Sequence, residues 1–173
     1  DGDGAAVYWL RAAEDALREG DAPLALEASA RALPRLADRA LAYRMRLLRL
    51  EVLHFLAHTS DEALELEALG GLSSTDAEKA QFCELSARHL ERLGRYAEAA
   101  ACMAEGLRLS PGSPRLLAQD AIVRSLSGRR AEAVVLAARA LESARAAGDA
   151  VAVRSALTAL AHTHASMGDI GTA

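Results

Sequence analysis

Five groups of side chains in this sequence have the types and spacing to do chemistry. His54 and His58 stand four apart, the spacing at which two imidazoles on one helical face can hold a metal. No Glu follows His54 in the manner of a zinc protease and no third ligand is apparent, so packing or capping at a helix corner is the reading they favour. His162 and His164 are two apart, point to different sides of a helix and cannot easily share an ion. Cys83 and Cys102 are the only cysteines, too few for a disulfide framework. A nucleophilic thiol wants a neighbouring base, and His89 lies on another face from Cys83, so the pair reads as buried free thiols.

The charged groups are more suggestive. Arg88 and Arg92 lie one turn apart and could grip a carboxylate or phosphate through parallel hydrogen bonds. Glu84 and Glu91 stand beside them, and a solvated Glu–Arg ladder along one helix is the simpler expectation. Asp120 precedes Arg124 by four, which puts a cation within reach of the carboxylate as a structural pair or as a polar contact for a ligand. No phosphate-cradling glycine loop, serine-centred elbow or paired-carboxylate site is present. The sequence therefore predicts no enzyme, no metal and no cofactor.

Helices must position these groups. The 173 residues include 41 Ala and 28 Leu, both strong helix formers, and only 3% aromatics, so an all-α fold is expected, with 51% apolar residues to fill its core. A net charge of −4 argues against a surface built to neutralise nucleic-acid phosphates. The sequence holds no signal-peptide pattern and no membrane-length apolar run, which points to a cytoplasmic chain with no membrane partner. The chain opens Asp1-Gly2-Asp3-Gly4 and stops at Ala173 inside what reads as a further repeat, so we expect it to be part of a larger protein.

The repeat is visible in the corners between helices. Leu93-Gly94-Arg95-Tyr96-Ala97-Glu98-Ala99 recurs 34 residues later as Ser127-Gly128-Arg129-Arg130-Ala131-Glu132-Ala133. Glu19-Gly20-Asp21-Ala22-Pro23-Leu24-Ala25 has the same shape, and Met167-Gly168-Asp169-Ile170-Gly171-Thr172-Ala173 begins it again. Glycine can take the left-handed conformation that ends one helix, and the small Ala five residues on lets the next helix approach closely. The corner at Ala57-His58-Thr59-Ser60-Asp61 has no glycine, and its second helix is expected to stop early at Gly70-Gly71. Helices are expected near 4–19, 22–36, 38–57, 61–69, 76–93, 96–109, 114–127, 130–147 and 149–167, with N-caps at Ser74 or Thr75, Ser113 and Asp149.

With its Trp9, Ala13, Gly20, Ala25 and Ala32, then Ala87, Gly94, Ala99, Gly106 and Pro111, then Ala121, Gly128, Ala133 and Ala140, the sequence resembles the tetratricopeptide repeat over nearly all its length. The resemblance implies a single domain over 1–173, a superhelix of about four and a half repeats near 6–37, 38–72, 76–111, 114–147 and 149–173, the last truncated. Trp9, Gly20, Ala25, Gly94, Ala99, Gly128 and Ala133 would be structural, and Asp120 would fall where the family prefers Leu, with Arg124 as its partner. The long, irregular repeats also look like the helical-repeat regions of large bacterial regulators of the maltose-activator type, or of signalling ATPases and kinases.

In this family the first helix of each pair lines a concave groove. The resemblance therefore implies binding positions at Leu10 and Glu14 in the first repeat and at Met45, Leu48, Val52 and Phe55 in the second. It adds Glu84, Arg88 and Arg92 in the third, Arg115 and Ile122 in the fourth, and Thr158 and His162 in the fifth. The groove would run from an apolar floor to a charged wall, suited to an amphipathic helix or extended peptide of a protein partner. Members that clamp a chaperone carboxy-terminus use Lys and Asn, and this chain has one Lys and no Asn. The expected function is a protein–protein interaction scaffold. The alternatives are an effector-sensing domain of a transcription or signalling protein, and a self-association scaffold forming a homodimer through exposed repeat ends.

Overall fold

In a computed structural model of the chain, which describes residues 2–166, the described residues form nine α-helices and one 3-10 turn, with no strand among them. They are α1 Gly2–Glu19, α2 Ala22–Ala32, α3 Arg39–Phe55, α4 Thr59–Leu72, α5 Asp76–Arg92, α6 Tyr96–Leu109, α7 Pro114–Leu126, α8 Arg130–Ala147 and α9 Ala150–Ser166. The all-α expectation is met. None of these helices is long and apolar enough to cross a membrane. The chain divides into two compact units, Asp1–Ser73 and Ser74–Ala173. The corner expected at 167–173 lies outside the described residues.

In the first unit α1 packs on α2, α2 on α3, and α3 on α4. Asp21 caps α2 by accepting from the Leu24 N–H at 3.0 Å, and Asp38 caps α3 through the Leu41 N–H at 2.8 Å. The expected helix over 22–36 is interrupted: α2 ends at Ala32, and Leu33–Arg35 form a 3-10 turn around Pro34, which has no N–H to continue the ladder. The core joins Leu10, Ala13 and Ala16 of α1 to Ala25, Ala28 and Ala32 of α2 and to Met45, Leu48 and Val52 of α3. Trp9 packs against its edge, with the Arg31 guanidinium 4.9 Å over its ring.

One further local expectation fails in this unit. The helix does not stop at Gly70-Gly71: α4 continues to Leu72, because its last carbonyls find donors. The Ser73 hydroxyl donates to the Leu69 carbonyl at 2.9 Å and Arg39 donates to that of Leu72 at 2.8 Å. The corner without glycine nevertheless adopts the left-handed turn that Gly20, Gly94 and Gly128 supply elsewhere. Ala57 takes it with φ +57°, the one positive φ among described residues other than glycine. A Cβ in that region is strained, so Ala57→Gly is expected to stabilise the chain by about 0.5–1 kcal/mol, after allowing for the looser unfolded chain. A thermal midpoint that fails to rise would show that the alanine fits this turn without strain.

In the second unit α5 pairs with α6 and α7 with α8, while α7 also packs against α5, α6 and α9 and α8 against α9. Thr75 and Glu78 form a capping box at the start of α5, and the expected caps at Ser113 and Asp149 open α7 and α9. α7 is buried on nearly every side. Leu116 and Val123 enter a cluster with Ala80, Ala87, Ala99 and Met103, while Leu117, Ala118 and Ala121 enter another with Ala137, Ala140, Ala156 and Ala159. These interfaces are built largely from methyl groups, which lets helix axes come close. Gly106 goes further, for a Cβ there would lie 2.9 Å from Leu116 Cδ2 and 3.1 Å from Cys83 Cβ.

Candidate functional site

The arrangement with most chemical potential lies on the α5 and α7 helices of the second unit. Glu84, buried on α5, accepts through Oε1 from both Nε and Nη2 of Arg115 on α7, at 3.2 and 3.0 Å. Two turns further along, Glu91 accepts from the Gln119 side-chain amide at 2.6 Å. These cross-helix bonds hold the two helices side by side and draw both carboxylates toward α7. The expected ladder along α5 is therefore not formed by Glu84, whose partner is the arginine of the next pair and not Arg88.

Arg88 sits on α5 between the two bridges, four residues after Glu84 and three before Glu91. Its side chain is half-buried and makes no hydrogen bond or ion pair with a described residue. Arg92, one turn on, is half-buried and engaged. Ile122 on α7 is half-buried and packs on the α7–α9 cluster. On α9, Thr158 is exposed with its hydroxyl donating to the Arg154 carbonyl at 3.0 Å, and His162 is half-buried with a buried Nδ1 that has no partner among the described residues.

At the α7–α8 corner the structure brings Asp120 and Arg124 together, with Nε to Oδ2 at 2.9 Å and Asp120 buried. Arg124 also donates to Glu132 at 2.7 Å, and Arg129 donates to the same carboxylate through two bonds of 2.8 and 2.5 Å. The Arg129 guanidinium holds the Glu132 carboxyl below the usual carboxylate range. Arg124 and Glu132 also border a shallow surface depression floored by Ala131, Val135 and Leu136.

The apolar floor expected in the second repeat is corrected by burial. Leu10, Met45, Leu48 and Val52 are 4, 0, 8 and 0% exposed and form the core of the first unit, where no ligand can reach them. Their helix-period spacing is that of a core face, which sequence alone does not separate from a groove. Phe55, by contrast, is 79% exposed. Glu14 forms an ion pair across to Arg44 on α3. Ala25, Ala99 and Ala133 are fully buried at helix contacts, and Gly20, Gly94 and Gly128 hold the left-handed corners.

Sequence reasoning missed a polar network in this unit. Glu65 of α4, with its side chain 9% exposed, accepts from Arg46 at 2.7 Å and from Arg49 Nε at 3.1 Å. Arg49 also donates to the Ser29 hydroxyl at 2.9 Å and toward the Leu26 carbonyl at 3.3 Å, which ties α2, α3 and α4 together. The available signal was the pairing of Arg46 and Arg49 with a Glu on the next helix, a long-range match that periodicity does not reveal.

His54 faces the buried Glu62 with Nδ1 3.0 Å from Oε1, and His58 stands 3.9 Å from Asp61. Among the described residues no three His, Cys, Asp or Glu side chains converge as metal ligands. Burial pushes both the Cys83 and Cys102 thiols above their ordinary range, so they stay protonated and weakly nucleophilic near neutral pH. Comparison with protein-family models, with curated proteins and with solved structures finds no match for this chain.

Proposed function

We propose that this chain is a protein-binding scaffold of tetratricopeptide type, and that the α5–α7 face of its second unit takes a segment of a partner protein. The observation that carries the reading is the pair of cross-helix bridges, Glu84–Arg115 and Glu91–Gln119, which hold polar groups on two neighbouring helices in fixed register around a cation with unused donors. Preorganised polar groups on rigid helices favour recognition of a partner. The 34-residue step between the left-handed corners at Gly94 and Gly128, each followed five residues on by a fully buried alanine as at Gly20, supports the repeat reading.

Selection from a random peptide library tests this. We expect enrichment of related sequences with affinities on the order of micromolar, whose addition shifts backbone amide resonances of α5 and α7. No enrichment, or shifts confined to other helices, would sink the reading.

A further inference from the structure

We infer that Arg88 is the specificity-determining residue of that face and selects a carboxylate side chain, Asp or Glu, in the bound segment. The inference rests on reading the α5–α7 face as a peptide-binding surface, and deepens it. A half-buried guanidinium has lost part of its hydration, and proteins ordinarily repay this with an anion or acceptor. Arg88 has two carboxylates within one turn on its own helix, yet Glu84 is taken by Arg115 and Glu91 by Gln119, both toward α7. Its donors remain available, and a planar carboxylate matches that fork through two parallel bonds.

The same neighbours discriminate among anions. Glu84 and Glu91 flank Arg88 on either side along the helix, so a dianionic phosphate meets like charge from both, whereas a singly charged carboxylate meets less. Long-range attraction does not explain acidic selectivity, because the chain carries a net charge of −4. Binding of an acidic segment is thus a property of this local geometry.

The test is fluorescence anisotropy with labelled poly-L-glutamate, poly-L-glutamine and poly-L-lysine peptides of equal length, on the whole chain and on R88A and R88K. Circular dichroism establishes that each variant keeps its helix content. We expect the glutamate peptide to bind best, R88A to weaken it about ten-fold or more, and R88K to retain part of the affinity, having charge without the fork. Equal binding of all three peptides, or an R88A variant that binds the glutamate peptide as well as the parent, overturns the assignment. Failure of the glutamate peptide to bind the parent chain overturns it too. The broader reading fails separately, when the library yields no binder at all; enriched peptides devoid of Asp and Glu would leave that reading standing and remove Arg88 from it.

Discussion

Glu65→Ala is expected to destabilise the first unit by about 3–5 kcal/mol, a large share of what holds a small domain folded. Two arginines converge on this one carboxylate from α3, with side chains 25 and 19% exposed. Removing it leaves both guanidinium groups partly buried without their anion, and Arg49 keeps only the Ser29 hydroxyl and Leu26 carbonyl on α2. Trp9 is the sole tryptophan and belongs to this unit, so its fluorescence during urea unfolding reads the effect directly. Replacing Arg46, Arg49 and Glu65 together by Met, Leu and Leu is expected to restore most of the loss, because packing can substitute for a buried ion triad when no charge is stranded. A Glu65→Ala midpoint within experimental error of the parent would show that water solvates the arginines as well as the carboxylate does.

Gly106→Val is expected to cost the second unit about 2–3 kcal/mol through overpacking. The first added carbon meets the end of the Leu116 side chain, which can turn aside, and the Cys83 Cβ, which is fixed to the α5 backbone. Gly106→Ala sets a gain in helix propensity of about 1 kcal/mol against that same contact, and is expected to lie near neutral. Valine adds two methyl groups where α5, α6 and α7 meet, and the helices must separate. Trimming the neighbour in the double variant Gly106→Val, Leu116→Ala should recover part of the loss, a coupling that a double-mutant cycle on thermal melts measures. Additive losses in that cycle would mean that the valine strains something other than Leu116.

Much of the helix layout was legible because its signals are local. Asp, Ser and Thr caps, proline stops and left-handed glycines announce helix ends within three or four residues, so most boundaries fall close to those expected from the sequence. The exceptions are instructive. Pro34 ended α2 early, and Gly70-Gly71 failed to end α4 because Arg39, remote in sequence, supplies a donor at its terminus. The site was less legible. Arg88, Glu84 and Arg115 could be named, but which carboxylate served which arginine depended on the register between α5 and α7. Apolar spacing marked Met45, Leu48 and Val52 as a stripe without saying whether the stripe met solvent or another helix.

The methyl-lined contacts of α7, α8 and α9 carry a dynamic consequence. Alanine has no χ angle, so an interface of Ala121, Ala137, Ala140, Ala156 and Ala159 has few alternative rotamers with which to absorb a local distortion. A load applied at one helix of the second unit is therefore passed on as a rigid slide or tilt of the next. Such a stack answers a force on one helix by shear between whole helices, in small steps summed within the unit, and not by side chains rearranging where the force acts.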